Sequence, residues 1–425
     1  MITNLRFQHF KSWNDTNELR FAPLTGFFGS NSSGKTAILQ FLLMMKQTFE
    51  AKEKNTVLKL DGPYADLGET YDIIYKHEIP NVLNLKIEWF DSGIEVINYE
   101  NENHEIDYFD EYTFRCSINI AEESNIRFMS YVYSDIRDKG GEIVIEKIID
   151  GYDMFIDENN FKIKDIDIFS LPSIDDFYIM NSMYKNPDSS LRIMLKNINY
   201  IGPVRDYPRR IYNNLKNNNF NIGGSNFVDL LIDVKNLSIT QQVSNWLQKL
   251  HLIYSFRIEK TSNHRRDFKI LIKLREKSPE VLLTDVGFGV AQILPVLVLC
   301  ASAKPGSTII LEQPEIHLHP AVQSNLADIL IETIKRGVQI VLESHSEHLL
   351  HRLQRRIAEE VLSNTDTALY FCDMDDAGTS HAVPLDVDKY GNIRNWPKDF
   401  FGDEMADLAA LSRETIRRKK AEAGR

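Results

Sequence analysis

The hydrophobic pattern of the first fifty residues predicts a strand, a turn, a second strand, a loop and a helix. Apolar residues between positions 2 and 10 have the spacing of a strand, and the run 19–21 predicts another strand before Pro23. A third apolar run covers 24–28. After a polar loop, residues 37–45 carry the apolar spacing of a helix.

Between about residues 80 and 180, apolar and polar residues alternate instead. Acidic and Asn-rich turns separate the alternating runs, which is typical of a meander of antiparallel strands. Two ranges, 176–200 and 226–250, have helical spacing. The apolar positions of the alternating runs are Leu83, Leu85, Ile87, Trp89, Phe114, Cys116, Ile118, Ile120, Ile143 and Ile145.

From residue 268 onward, short apolar runs alternate with helical patterns. This alternation is typical of the βαβ units of a parallel sheet. We therefore predict an α/β fold whose first and last parts form one domain, split by an insertion of about two hundred residues. The predicted strands and helices of the last part lie at 268–274, 289–300, 308–311, 322–334 and 339–342.

The polar loop between 24–28 and 37–45 has a complete phosphate-binding sequence, GxxxxGK[ST], in the strand–loop–helix context of a P-loop. Small residues let backbone N–H groups turn inward around a triphosphate, and the helix N-terminus adds partial positive charge. We expect Lys35 to reach the β- and γ-phosphates and the Thr36 hydroxyl to bind Mg²⁺. The predicted nucleotide-binding residues of the loop are Gly29, Ser30, Asn31, Ser32, Ser33, Gly34, Lys35 and Thr36.

Composition narrows the class of protein. With 425 residues, 43% of them hydrophobic and 26% charged, the chain is an ordinary globular protein of two or three domains. No apolar run approaches the about 18 residues of a membrane span, and no secretory signal is evident. Three scattered cysteines predict neither disulfides nor a zinc site, so we expect a cytoplasmic protein. The net charge of −12 argues against nonspecific adhesion to nucleic acid, although a local basic groove is compatible with it.

A second set of polar residues follows the apolar strand 308–311. Glu312 ends this strand in the form of a Walker B element, and a carboxylate there can hold the Mg²⁺ shell opposite Thr36. His317 and His319 have a spacing found in zinc sites, but without cysteine partners we predict no zinc.

A histidine follows the next apolar strand, 340–342. His345 could hydrogen-bond the γ-phosphate or the attacking water, since it comes one strand–helix unit after the Walker B element. An isolated histidine more often caps a helix or packs against its neighbours, but this position favours the functional interpretation.

These motifs together resemble those of a known class of ATPases. The Phe-Lys-Ser run at 10–12, the P-loop with its Asn31, the run LEQPEIHLHP at 311–320 and Ser-His-Ser at 344–346 resemble ABC-type ATPases. Within that class they are most similar to the RecF/SMC-like branch with the OLD (overcoming lysogenisation defect) proteins, which carry a similar EEPE-hydrophobic-HLHP run. The resemblance covers residues 1–50 and 280–400.

The C-terminal region resembles a tail of unknown function found in one bacterial subgroup. The residues that carry this likeness are Gly391, Asn392, Ile393, Arg394, Asn395, Trp396, Pro397, Phe400 and Phe401.

The resemblance implies an α/β ABC-type P-loop NTPase head, split by a mixed β and helical insertion. We predict the N-terminal part of the ATPase domain at 1–60 and the insertion at 61–265. The C-terminal part of the ATPase domain follows at 266–372 and the C-terminal tail region at 373–425.

The resemblance also implies roles for single residues. Glu312 takes the place of the Mg²⁺-side carboxylate, and His345 that of the switch histidine. Lys11 and Ser12 are expected near the nucleotide base or phosphates. ATP and Mg²⁺ are the implied ligands.

The implied catalytic unit is a head-to-tail homodimer, or a higher oligomer, with composite sites. Residues 285–289 fall where the family has the signature motif that caps the γ-phosphate from the opposing subunit. The signature serine is absent, so Gly287 and Gly289 are expected to act through backbone N–H groups at a helix N-terminus. His319 falls on the loop that crosses the dimer interface.

One position departs from the family pattern. The catalytic glutamate that activates water falls at position 313, where this chain has Gln313. Glutamine can hydrogen-bond a water but cannot accept its proton at neutral pH. Either Glu315 or His345 takes over that work, or hydrolysis is slow and the nucleotide-bound dimer is long-lived; we favour slow hydrolysis.

Several charged clusters allow two interpretations. Arg205, Arg209 and Arg210 could contact phosphates of a nucleic acid or of the nucleotide, or pair with the many acids of the chain. Arg352, Arg355 and Arg356 could face DNA, although a solvated helix face is favoured. The basic run at 417–420 predicts a helical tail. Asp373 and Asp375 form a DxD like that of Toprim nucleases, but an acidic turn explains them better.

The sequence thus predicts an ATPase in bacterial antiphage defence or DNA maintenance. ATP-driven dimer closure would control a separately encoded effector such as a nuclease; DNA is a candidate further partner, and no membrane is expected. Two alternatives remain open: a self-contained OLD-like nuclease, and a nucleotide-gated scaffold with little hydrolysis.

Overall fold

A computed structural model gives the fold of most of the chain. It describes the residues 1–51, 56–92, 109–121, 126–135, 142–148, 151–156, 159–163, 187–213, 227–232, 237–261, 267–397, 400 and 412–416. The predicted basic helical tail at 417–420 and part of the predicted helix at 176–200 lie outside the described residues.

The N-terminal part follows the predicted order of elements. Its helix begins directly after the phosphate-binding loop, and every residue of the strand before that loop is buried. The elements are β1 (Ile2–Phe10), β2 (Trp13–Asp15), β3 (Leu19–Arg20), β4 (Leu24–Gly29) and α1 (Lys35–Glu50).

A large antiparallel sheet follows a short helix, α2 (Thr70–Ile73). Its new strands are β5 (Asn81–Ser92), β6 (Phe109–Ile120), β7 (Ile126–Asp135), β8 (Glu142–Ile148), β9 (Gly151–Ile156) and β10 (Asn159–Ile163). Each of them pairs antiparallel with the next, which confirms the predicted meander. The sheet runs β10-β9-β8-β7-β6-β5-β1-β2, with β3 also paired to β1. The N-terminal strand therefore joins the meander to the rest of the fold.

Three helices, a strand of the parallel sheet and a small antiparallel sheet come next. The elements are α3 (Pro187–Lys196), β11 (Ile198–Ile201), β12 (Tyr212–Asn213), α4 (Phe227–Ile232), α5 (Leu237–Lys249), β13 (Ser255–Lys260), β14 (Asp267–Lys273) and β15 (Glu280–Leu282). Strand β14 pairs with β12, β13 and β15.

The last part alternates helices and strands, as predicted. Its elements are α6 (Phe288–Ser302), β16 (Thr308–Glu312), α7 (Pro320–Ile334), β17 (Gln339–Glu343), α8 (Glu347–Ala358), β18 (Thr367–Met374) and β19 (Ser380–Pro384). Together with earlier strands they form a sheet in the order β11-β16-β17-β4-β18-β19, parallel except for β19. The predicted parallel sheet is confirmed.

Two strands of this sheet come from outside the predicted ATPase ranges. Strand β11, which falls in the predicted insertion 61–265, pairs with β16. The predicted boundary at 372/373 falls inside β18, which pairs with β4, and β19 extends the same sheet. The sheet therefore draws on the predicted insertion and on the predicted tail. The pairings of β11 with β16 and of β18 with β4 are long-range and are not revealed by local patterns, whereas β19 joins through a hairpin with β18.

The parallel sheet separates two hydrophobic clusters. Ile310 and Val341 face the cluster that contains α1 and the large antiparallel sheet. Their neighbours Ile309 and Leu342 face the cluster of helices α4 to α8. Successive strand residues point to opposite faces, so burial on both faces explains the unbroken apolar runs of β16 and β17. Among the described helices, none has the length and apolar character to cross a bilayer.

The phosphate-binding loop rests on the hairpin of β18 and β19. Gly34 has φ 87°, and a Cβ there would lie 2.8 Å from both Ser380 Cβ and Trp13 Nε1. Ser380 N donates to Ser12 O at 2.8 Å, and the Trp13 indole donates to Gly34 O at 3.0 Å. A larger residue at position 34 would therefore meet both left-handed backbone strain and a steric clash.

We predict that Gly34→Ala destabilises the fold more than Gly378→Ala does. Gly378 also has a left-handed φ, 78°, but a Cβ there meets nothing within 4 Å. The control should therefore cost about 1 kcal/mol from backbone strain alone, and Gly34→Ala on the order of 3 kcal/mol. Denaturant unfolding followed by circular dichroism measures both. Equal losses of unfolding free energy in the two variants would contradict a steric clash between a side chain at position 34 and the β18–β19 hairpin.

Candidate functional site

The phosphate-binding loop closes around its own lysine. Lys35 Nζ donates to Gly29 O at 3.2 Å, Ser30 O at 2.5 Å and Ser33 Oγ at 3.2 Å. Burial lowers the pKa of Lys35, opposed by the charge of Glu343. A phosphate oxygen can replace these carbonyl partners, because it offers the ammonium a charged acceptor in the same place.

The tip of the loop is open to solvent. Ser30, Asn31 and Ser32 are exposed, whereas Ser33 is buried and donates its hydroxyl to Ser30 O at 2.9 Å. Helix α1 has no acidic residue in its first turn. The positive end of its dipole is therefore available to an anion, as a phosphate site requires.

Two buried carboxylates lie at adjacent strand ends beside the loop. Glu312 ends β16 and Glu343 ends β17, and the two residues are in register. Thr36 Oγ1 donates to Glu343 Oε2 at 2.8 Å. Burial, followed by the charge of Glu343, raises the pKa of Glu312 to about 7, while a hydrogen bond from Tyr200 acts in the opposite direction. Burial also raises the pKa of Glu343.

These groups fit Mg²⁺. Hydroxyl and carboxylate oxygens are the ligands that this ion prefers, together with phosphate and water. Glu312 Oε1 is buried and has no hydrogen-bond partner among the described residues. A divalent cation beside Thr36 would neutralise the negative charge of the two carboxylates. No cluster of three His, Cys, Asp or Glu side chains forms a metal site in the described part of the chain, so phosphate and water would have to complete the shell.

Glu343 is a site residue that the sequence analysis did not name. The signal for it was present, because the apolar run of β17 ends in a carboxylate just as β16 does. The P-loop threonine contacts this residue, whereas the Walker B carboxylate Glu312 is held by Tyr200.

Gln313 lies between the two strand ends. It has φ 43°, and its N–H donates to Glu343 O at 2.9 Å. Its side chain also hydrogen-bonds Glu343. Gln313 is therefore tied through its backbone and its side chain to the carboxylate on the neighbouring strand.

Glu315 and His345 are connected through the backbone. His345 N donates to Glu315 Oε1 at 2.7 Å, and burial raises the pKa of this carboxyl. The His345 ring lies 3.9 Å from Glu343 Oε1, measured from Nε2, and it also hydrogen-bonds Gly29. Burial, then the charge of Lys35, lowers the pKa of His345. Both effects favour the neutral form of the imidazole.

Lys11 and Ser12 lie at the turn between β1 and β2. Lys11 has φ 51°, and its Nζ donates to Gln40 Oε1 at 2.6 Å, on the first turns of α1. Ser12 Oγ accepts from Ser380 Oγ at 2.7 Å. Lys11 therefore contacts the phosphate-binding helix, whereas Ser12 contacts the β18–β19 hairpin.

The two glycines at the start of α6 have different surroundings. Gly287 precedes the helix with an ordinary φ of −56°, and a Cβ there would meet nothing within 4 Å. A Cβ on Gly289 would lie 2.9 Å from His317 O. Gly289 is therefore needed for packing, whereas Gly287 presents an open helix end.

His317 and His319 have local partners. His317 contacts the ring of Phe288, with centroids 4.9 Å apart, and His319 caps α7 by accepting from Ala321 N at 3.3 Å. Neither contact is that of a metal ligand.

A family model described as "AAA domain, putative AbiEii toxin, Type IV TA system" matches residues 24–351. This range covers more than half of the chain and contains the phosphate-binding loop and both carboxylates. The chain belongs to this AAA domain family. A second model, described as "Protein of unknown function (DUF3696)", matches residues 362–411. It overlaps the predicted C-terminal region, 373–425, from 373 to 411.

Solved structures with similar chains are heads of SMC proteins. One is an SmcHead bound to the C-winged helix domain of ScpA, 14% identical, covering 91% of this chain and 98% of its own, with a TM-score of 0.49. Another is the SMC head domain from Thermotoga maritima, 12% identical, covering 91% and 99%, with a TM-score of 0.43. These likenesses are too distant to carry a conclusion about function. No curated protein matches the chain.

Most arginines of the predicted basic clusters have acidic partners in this AAA protein. Arg210 pairs with Asp285 at 3.0 Å, and Arg352 and Arg356 pair with Asp328 at 3.1 and 2.6 Å. The sequence favours a solvated helix face for α8, but Arg352 and Arg356 are only 19% and 23% exposed and pair with Asp328 on α7.

The DxD at the end of β18 belongs to a turn. Asp375 Oδ1 accepts from Ala377 N at 2.9 Å and from Thr379 N at 2.8 Å, and Oδ2 lies 3.0 Å from His381 Nε2. Its oxygens are used to hold the hairpin, as the acidic-turn interpretation predicts.

Unlike the other arginines of the predicted basic clusters, Arg205 is buried and only 4% exposed. Its guanidinium donates to the carbonyls of Glu312 at 3.3 Å, Gln313 at 3.1 Å and Gln292 at 3.4 Å. Burial lowers its pKa to about 10, opposed by the charge of Glu315. Arg205 thus joins helix α6 to the end of β16, a role that its place in a basic cluster did not indicate.

We predict that Arg205→Lys destabilises the protein by about 2 kcal/mol or more, because an ammonium cannot reach three carbonyls in different directions. Arg210→Lys is the matched control, since its exposed ion pair should contribute no more than about 0.5 kcal/mol. Urea unfolding curves compare the two variants. Similar stabilities would show that the contacts of Arg205 are replaceable.

Proposed function

We propose that the protein binds ATP with Mg²⁺ and hydrolyses it slowly. The observation that supports this is the convergence of Lys35, Thr36, Glu312 and Glu343 at the phosphate-binding loop. The loop amides and Lys35 would hold the phosphates, and Thr36 with Glu312 would hold the metal side. Mg²⁺, when bound, neutralises charge that develops on the phosphates.

Slow hydrolysis follows from the residue at position 313. Gln313 can orient a water through its amide, but it cannot take the proton. His345, neutral and beside Gly29, and Glu315, which holds the His345 backbone, remain the candidate groups for that work. A nucleotide-gated scaffold is the second candidate, and it is favoured by the same glutamine.

We expect wild-type protein to show measurable but slow steady-state phosphate release. Gln313→Glu should accelerate it at least about tenfold, because a carboxylate beside the water restores a general base. Gln241→Glu, an exposed change on α5, is the control and should leave the rate unchanged. If Gln313→Glu does not raise turnover, position 313 does not limit hydrolysis. Glu315→Ala, measured alongside, should lower the rate because it frees the His345 backbone.

We further propose that ATP closes a head-to-tail homodimer through the face at the start of α6. The open end at Gly287 supports this, as do exposed apolar side chains in the segment 204–207 and at Phe288, the residue after Gly287. Val204 is 85% and Tyr207 79% exposed, and Tyr207 contacts Phe288, with ring centroids 5.5 Å apart. Exposed apolar side chains around a helix N-terminus suit a partner surface that brings a phosphate.

Gly287→Glu should abolish ATP-dependent dimerisation and leave the monomer folded. The position has ordinary backbone angles and space for a side chain, but a carboxylate there would repel the γ-phosphate of the partner site. Gly287→Ala is the matched control and should still dimerise. Light scattering with a non-hydrolysable ATP analogue measures the mass. A dimer that persists in Gly287→Glu would contradict this interface.

Dimer closure would control a separately encoded effector, in antiphage defence or DNA maintenance. The matched family's description refers to a toxin and to a type IV toxin–antitoxin system, which supports a two-component arrangement. The three buried free thiols fit a reducing cytoplasm. Affinity purification from the native host, with and without ATP, tests this step. A stoichiometric second protein is expected, and its absence in both states would contradict the proposal.

A further inference from the structure

We propose that Glu343 belongs to the Mg²⁺ shell, directly or through a bound water, and makes nucleotide binding depend on the metal. This inference rests on the proposed function. Its basis is that the P-loop threonine donates its hydroxyl to Glu343 Oε2 at 2.8 Å. A residue that binds the hydroxyl of a metal-ligating threonine is in reach of the same ion or of its water.

The position of Glu343 in the sheet supports this assignment. Strand β17 lies between the P-loop strand β4 and the Walker B strand β16. Its last residue is paired with Phe27 on one side and with Glu312 on the other. Glu343 is therefore closer in the sheet to the phosphate-binding loop than Glu312 is, and the two carboxylates face one site.

Glu343 and Glu312 form no ion pair with a lysine or arginine of the described residues. The Lys35 ammonium is bound to loop carbonyls and Ser33 rather than to a carboxylate. Glu312 Oε1 has no hydrogen-bond partner in the described residues. The charge of Lys35 acts on Glu343, but no Lys or Arg in the described part of the chain lies within ion-pair distance of either acid, and the His345 ring lies 3.9 Å from Glu343. A buried carboxylate pair of this kind needs a cation or a shared proton.

A nucleotide without metal would meet strong repulsion here. Its phosphates would add negative charge beside two carboxylates, whereas Mg²⁺ would convert both acids from repelling to ligating groups. The second carboxylate should therefore strengthen the coupling between the two ligands: Mg²⁺ raises the affinity for nucleotide, and nucleotide raises the affinity for Mg²⁺ by the same factor.

The test measures ADP affinity with and without Mg²⁺ by calorimetry, for wild type, Glu343→Gln and the exposed control Glu276→Gln. ADP is used so that hydrolysis does not interfere. The expected result is that the ratio of the two affinities falls at least about tenfold in Glu343→Gln, with metal-free ADP bound as well as or better than in wild type. The control should keep the wild-type ratio.

Two results would overturn the inference: an unchanged ratio in Glu343→Gln, or an equal loss of ADP affinity with and without Mg²⁺, which indicates a structural role. Should Glu343→Gln not fold, Glu343→Asp replaces it. Its shortened carboxylate should reduce the ratio severalfold, and the wild-type ratio would contradict the inference. Failure of the proposed function is distinguishable, because wild type would then bind neither ADP nor ATP.

Discussion

The site depends on the placement of strand β17 between β4 and β16. This strand comes more than three hundred residues after the phosphate-binding loop, yet its parallel pairing sets the loop and the Walker B strand on either side of it. The carboxyl ends of all three strands meet at one edge of the sheet. Because of that pairing, Thr36 meets Glu343 and Glu343 meets Glu312, and without it the charged groups would have no common site.

The same arrangement places charged groups where burial is unfavourable. Two carboxylates, a lysine and an arginine are buried around one strand end, and the structure supports them with backbone atoms. Lys35 is held by loop carbonyls, Arg205 by the carbonyls of Glu312 and Gln313. Such fixed dipoles keep the groups in place before any ligand arrives. A site held in this way is suited to a ligand that brings both phosphate and a divalent cation.

Local sequence patterns predicted much of the fold and part of the candidate site. The P-loop, the Walker B strand and the antiparallel meander were all evident, because each depends on residues close together in sequence. Membership of β11 in the parallel sheet was not predictable, since it rests on a pairing across a long separation, and β19 joins this sheet only because its hairpin partner β18 pairs with the distant β4. The structural role of Arg205 was missed for the same reason, since it rests on a buried contact with α6. Glu343 had a local signal, the carboxylate that ends an apolar strand, but only the register of β17 with β16 places it next to Glu312.

The most direct test of a Mg²⁺–ATP site at the phosphate-binding loop is equilibrium titration of ATP and Mg²⁺ into wild-type protein and Lys35→Ala. Lys35 touches only loop atoms among its hydrogen-bond partners, so its loss removes the phosphate contact and leaves the sheet intact. The structure predicts one binding event per chain for wild type, weakened at least about tenfold in Lys35→Ala. Equal affinity in the two proteins would contradict the account.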